Sequence, residues 1–177
     1  MSTVDDLLDN PAIHAYLHRL VGDEGINLLR KFPGKGEHSD EDLAAETGIN
    51  LNSVRHSLYT LYEKRLAEYH RIKNNETGWL TYLWQIRIDR IHDAIREDLD
   101  DILDKLERRV RFEEENDFYI CKACGIILPF ARALDAEFKC PECEEPIGHF
   151  DNDALLSALR QRVQTIRESL GHAAESS

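Results

Sequence analysis

No stretch of the 177 residues approaches the roughly 20 apolar positions a membrane span needs. The longest run without charged or strongly polar side chains, 125–131, is already interrupted by Pro129. The first residues, Met1-Ser2-Thr3-Val4-Asp5-Asp6, have neither the basic nor the apolar segment of a secretory signal. The expectation is a cytoplasmic protein with no membrane partner. Positive charge is also short. Lys and Arg number 22 against 34 Asp and Glu, a net charge of −12, so a polyanion repels the chain at long range. That argues against a general nucleic-acid coat. Cysteine is limited to four, all in C-x-x-C pairs, which without an export signal reads as metal rather than disulfide. There is no nucleophile–base constellation and no phosphate-binding glycine loop, so the chain is not expected to be an enzyme. What remains is an ordinary globular balance, 42% hydrophobic and 32% charged, and not a disordered one.

The charge is unevenly spread. Residues 1–49 carry 4 basic and 10 acidic side chains, and residues 97–117 the same numbers. Residues 50–96 reverse the balance, with 8 basic and 5 acidic. A solvated face of mixed sign would read this way. So would a surface placed near a nucleic acid that something else holds.

The basic stretch sits inside a recognisable order of elements. Asn10-Pro11 starts a helix carrying Ile13, Tyr16, Leu17, Leu20 and Val21, which Gly22 ends. Asp23 caps the next, with Ile26, Leu29 and Phe32 on one face. After a Pro33-Gly34-Lys35-Gly36 loop, Ser39-Asp40-Glu41-Asp42 is a near capping box. The short helix it opens stops at Gly48, and Asn50 caps another with Leu51, Val54, Leu58, Leu61 and Tyr62 inside. Two helices joined at a glycine form a helix-turn-helix. Ala44 is small where they cross, and Gly48 supplies a left-handed turn. Residues 66–73 and 79–84 are strand-like, joined by Asn74-Asn75-Glu76-Thr77-Gly78 as a hairpin loop. Three helices followed by a hairpin predict an N-terminal winged helix over residues 1–86. Its reading face, Asn52, Arg55, His56, Tyr59 and Glu63, has a single cation in its N-terminal half. Arg71 and Lys73 flank the hairpin loop, and Trp79, Tyr82 and Trp84 follow it. Rings beside cations suit stacking on an unpaired base or a protein interface; they also suit a core. Arg55, Arg71, Lys73, Trp79, Tyr82 and Trp84 are therefore the candidate nucleic-acid or protein contacts, and sequence-specific duplex binding is not expected.

From Ile88 the apolar residues Ile91, Ile95, Leu99, Ile102, Leu106 and Val110 recur at helical steps in an 11-residue pattern, so one long linker helix is expected over 87–116. Its acidic end, Glu113-Glu114-Glu115, opposes the macrodipole and is expected to fray. Residues 117–150 hold Cys121-Lys122-Ala123-Cys124 and Cys140-Pro141-Glu142-Cys143. Each pair can wrap one corner of a tetrahedral ion, and four thiolates favour one structural zinc with no open position. Ile126, Ile127, Leu128, Phe130 and Phe138 supply a small ribbon core that depends on the metal. Two disulfides, a redox pair or an iron site of rubredoxin type are the other uses of four cysteines. Residues 151–177 predict a helix with Leu156, Leu159, Val163, Ile166 and Leu170 inward and a frayed tail. The fold class is thus mainly α with small β: winged helix-turn-helix, long linker helix, C4 zinc ribbon and C-terminal helix.

This order resembles the archaeal transcription factor E family, homologous to the alpha subunit of the eukaryotic general factor TFIIE. The resemblance rests on the winged-helix pattern of residues 10–84 and on Cys-Lys-Ala-Cys-Gly and Cys-Pro-Glu-Cys at 121–125 and 140–143. It implies a basal initiation factor that binds the clamp and stalk of RNA polymerase and is nucleoid-associated through that enzyme. It implies help with promoter opening beside TATA-binding protein and the B-type factor, and leaves room for a beta-type partner subunit. The winged helix would lie near the non-template strand in the open complex. The alternatives are a site-specific winged-helix regulator whose ribbon dimerises it or senses metal, a C-x-x-C redox protein or zinc hydrolase, and an adaptor that touches only protein.

Overall fold

The computed structural model describes residues 4–34, 36–73, 75 and 78–171. The expected loop positions Lys35, Asn74, Glu76 and Thr77 and the expected frayed end 172–177 lie outside the described residues. Backbone contacts fall into two units, 1–96 and 97–177.

The N-terminal unit starts with α1 (Val4–Leu8) and α2 (Pro11–Lys31). The Asn10 side chain accepts from the N–H groups of Ala12 and Ile13, which caps α2 while Pro11 takes the first turn. Gly22, at φ 66°, breaks α2 into two helical runs, as its position after Val21 predicts. Glycine has a second use here. A Cβ on Gly25 would meet Ser57 Oγ at 3.0 Å and Val21 Cβ at 2.3 Å, so the bare backbone lets α2 approach α4 (Leu51–Glu63). Between them, β1 (His38–Ser39) leads into α3 (Asp40–Thr47). Ser39 Oγ accepts from the Asp42 N–H and donates to its carboxylate, the near capping box read from sequence. Gly48 closes α3 in the left-handed conformation.

Two long strands complete the unit, β2 (Ala67–Lys73) and β3 (Leu80–Ile86). The sheet order is β1-β3-β2, antiparallel throughout, with Tyr69 opposite Trp84, Arg71 opposite Tyr82 and Lys73 opposite Leu80. This is the winged-helix architecture. Alternation puts Ala67, Tyr69, Tyr82 and Trp84 on one face. That face, the α2 stripe and the α4 stripe bury Leu17, Leu28, Val54, Leu58, Leu61 and Trp84. A 3-10 turn (Ile88–Arg90) leads into α5 (Ile91–Glu115), whose Ile91 and Ala94 join the same core.

In the C-terminal unit, β4 (Phe118–Cys121), β5 (Ile127–Pro129) and β6 (Ile147–Phe150) form a ribbon in the order β5-β4-β6. The short helix α6 (Phe130–Asp135) sits between the two cysteine pairs, and α7 (Asp153–Leu170) follows. Arg167 lies 2.8 Å from Glu107 and Arg160 2.6 Å from Glu114, so α7 runs antiparallel to the last turns of α5. The expected fraying at Glu113 therefore gives way to a pinned helix end. Glu113, 3% exposed, accepts from Asn152 Nδ2 at 2.6 Å and pairs with Arg109. The cations of α7 offset the charge that the macrodipole disfavours. No helix among the described residues is long and apolar enough to cross a membrane.

Candidate metal centre and nucleic-acid interface

Two turns of one design carry the cysteines. In the first, the Gly125 N–H donates to the Cys121 carbonyl at 2.8 Å and the Cys121 N–H to the Ile126 carbonyl at 2.9 Å. In the second, the Glu144 N–H donates to Cys140 at 2.8 Å and the Cys140 N–H to Glu145 at 2.8 Å. The residue after each second cysteine is left-handed, Gly125 at φ 78° and Glu144 at φ 60°. Each turn therefore points its two sulfurs and its free N–H groups at one spot.

The turns face each other. All four sulfurs lie within 4.8 Å of one another, the single such group of potential ligands among the described residues. Sγ–Sγ distances are 3.5 Å for Cys121–Cys143, 3.3 Å for Cys124–Cys140 and 3.8 Å for Cys124–Cys143. Four sulfurs bound about 2.3 Å from one tetrahedral ion stand about 3.8 Å apart, so the cluster fits a metal ion. Cys121 and Cys140 are buried, and Cys124 and Cys143 are exposed. The Cys124 backbone N–H holds the Cys121 thiol down to about 7, helped by Cys143. The Glu142 N–H lowers Cys140 likewise. On Cys143 the Glu145 N–H acts downward but is outweighed by the Cys121 thiol and burial, which push it up to about 12. N–H groups aimed at sulfur favour thiolate, the form a metal binds.

The six expected contact residues separate in space. Trp84 belongs to the core at 1% exposure. Its ring meets Tyr59 at 5.2 Å, Tyr69 at 5.0 Å and Tyr62 at 6.4 Å, so it faces tyrosines rather than a partner. Its strand position points toward α4, a consequence of register that spacing in β3 alone does not reveal. Tyr82 is half-buried against Tyr69 at 5.2 Å. Arg55 is bound to Asp40, and its Nη2 donates to Glu41 at 3.0 Å. The bond to Asp40 and that carboxylate's charge raise the guanidinium further above its ordinary value. The reading helix thus has its leading cation neutralised from within.

Arg71, Lys73 and Trp79 are exposed, Trp79 at 77%. They lie at the loop end of the β2–β3 hairpin with Ile72 and Leu80, also exposed. Ile72 and Leu80 escaped the sequence reading, which looked for cations and rings. Tyr59 and Tyr62, both 45% exposed, extend the aromatic surface from α4, with Tyr62 5.0 Å from Tyr69. A helix stripe and a strand alternation met there, and neither period alone showed it.

The comparisons place the chain. A profile of the TFIIE alpha subunit matches residues 11–115, from the start of α2 to the end of α5. The chain belongs to the TFIIE alpha subunit family. Its relatives include the protein named Transcription factor E of Methanoregula boonei, 68% identical over 98% of this chain and 100% of that one. The Transcription factor E of Methanospirillum hungatei is 55% identical over 97% of this chain and 99% of that one. The corresponding protein of Haloarcula marismortui is 41% identical over 94% of each. A transcription-factor role for this family member follows.

Proposed function

We propose that this chain is a basal transcription initiation factor that binds RNA polymerase and stabilises the open promoter complex. TATA-binding protein and the B-type factor would be in the same assembly, and the clamp and stalk would be its docking points. The observation that carries this reading is the distribution of charge and rings in the winged helix. The α4 face has its leading cation tied to Asp40 and Glu41, whereas Arg71, Lys73 and Trp79 stand exposed at the hairpin end. Such a surface is poor at reading a duplex and suited to an unpaired strand. A protein of net charge −12 gains little affinity for DNA on its own. Held by a polymerase, it meets the strand at high effective concentration.

The role needs no bond-making step. A factor that binds the melted state better than the closed one shifts the equilibrium by that difference. Arg71 and Lys73 would sit on the backbone of the non-template strand and Trp79 would stack on a base, with Tyr82 behind them. Trp84 would hold the strand that carries them. Cys121, Cys124, Cys140 and Cys143 would hold one zinc ion, which supplies cross-linking of the ribbon and activates no water because four thiolates close its shell.

Trp79→Ala tests the assignment in a reconstituted system. Permanganate reactivity of unpaired thymines should fall about fivefold or more, as loss of one stacked base implies. Polymerase binding should stay within about twofold. Equal loss of both would make this ring a polymerase contact and leave the strand-binding assignment without support.

A further inference from the structure

We infer that the cleft between the end of α5 and α7 is a docking site for an acidic segment of a protein partner, one carboxylate of which seats on Arg111. The cleft has a volume of about 350 Å³ and is lined from both helices. Its apolar lining is Val110 from α5 and Val163 from α7, the latter 8% exposed. Two cross-helix ion pairs, seven residues apart on each helix, flank it. Arg160 Nη2 donates to Glu114 Oε1 at 2.6 Å, and Arg167 Nη2 to Glu107 Oε1 at 2.8 Å.

Midway between those pairs the sequence supplies no acid. Arg111 and Gln164 line the cleft there. Gln164 is bonded along its own helix, to Glu168 at 2.8 Å. Arg111 has no hydrogen bond or ion pair among the described residues; its charge acts on Asp104, which is itself bound to Arg108. Residues 107–114 and 160–167 together hold six arginines and three glutamates. Each glutamate is engaged, Glu107 by Arg167, Glu113 by Arg109 and Glu114 by Arg160. Positive charge is thus in local excess inside an acidic chain. Counting along the sequence hides this excess, because the cations come from two stretches that only the fold brings together.

The chemistry of the lining selects the occupant. A guanidinium presents paired N–H groups that one carboxylate accepts two at a time. Arg160 and Arg167 each direct Nε and Nη2 to a single carboxylate oxygen. Nη1 of each is left without a hydrogen bond among the described residues, so an anion on Arg111 has further donors at both flanks. Glu107 and Glu114 set the limit. Two lining carboxylates repel a doubly charged phosphate or a nucleic-acid backbone more than they repel one carboxylate. Val110 and Val163 accept an apolar side chain beside the acid. An arginine cluster that takes an acidic motif is a recurring mode of peptide recognition. The cleft lies wholly within the C-terminal unit and depends neither on the hairpin nor on the proposed promoter role.

The test uses the full chain with its metal, labelled with nitrogen-15, and a blocked leucine–glutamate–leucine peptide as the probe. Amide signals of residues 107–114 and 160–167 should shift and saturate on titration, and signals of residues 4–96 should stay in place. The same peptide with glutamine for glutamate should bind at least about tenfold more weakly, as should the acidic peptide to Arg111→Ala. Arg111 is exposed, and circular dichroism checks that the variant folds. No saturable shift at the cleft, equal binding of the glutamine peptide, or unchanged affinity in Arg111→Ala would overturn the site. Inorganic phosphate and an oligothymidylate are titrated in parallel. Tighter saturation of the same amides by either one would overturn the choice of a protein carboxylate as occupant.

Discussion

Gly125 and Glu144 occupy the same place in the two cysteine turns, yet only the first has the residue that the left-handed backbone favours. Gly125→Ala should lower the stability of the metal-loaded ribbon by about 1–2 kcal/mol, read from denaturant unfolding. Glu144→Gly should raise it or leave it unchanged. The opposite order would show that the turns are not equivalent. Cys124→Ser should release the metal and unfold the ribbon, while amide signals of residues 4–96 keep their dispersion. A ribbon still folded without metal would refute a structural ion. The cysteine cluster was legible because each turn is local: four residues and a hydrogen bond fix it. The state of Arg55 was not, because Asp40 lies fifteen positions away and helical periodicity does not say which charges meet. Trp84 was equally undecided, since a ring on a strand becomes core or surface according to which face the helices cover.

Among the elements, α2, α3, α4 and the hairpin follow from caps, periodicity and alternation. Three features did not. β1 has two residues and α6 six, too short for any period to register. The end of α5 looks unstable by itself and is held from outside by α7. There the individual contacts differ in weight. Arg160 and Glu114 form a solvent-exposed pair, of the kind worth about 0.2–1 kcal/mol, so Arg160→Ala should cost little. Asn152 bonds both the backbone carbonyl of Glu113, at 3.1 Å, and its buried carboxylate. Asn152→Ala strands those acceptors and should cost about 1–3 kcal/mol. Thermal unfolding of the two variants should therefore rank Asn152→Ala as the more damaging. The reverse rank would mean that the Arg–Glu links, not the buried carboxylate, hold α7.

For the molecule as a whole, an acidic chain carries one basic segment, 50–96, that presents Arg71, Lys73 and the exposed ring of Trp79. Composition already excluded a free-standing DNA coat, and the pairing of Arg55 extends that to the reading helix. Isolated protein should bind duplex promoter DNA only weakly, even at low salt, where phosphate contacts are strongest. The proposed role requires a preference for separated strands when a polymerase presents them. The most direct measurement compares the affinity of this chain for two polymerase–promoter assemblies, one closed and one with a pre-melted bubble. Binding should be about tenfold tighter to the bubble assembly, with the difference removed in a Trp79→Ala, Arg71→Ala, Lys73→Ala variant. Equal affinity for the two assemblies would contradict it, because a factor indifferent to the two states cannot shift the balance between them.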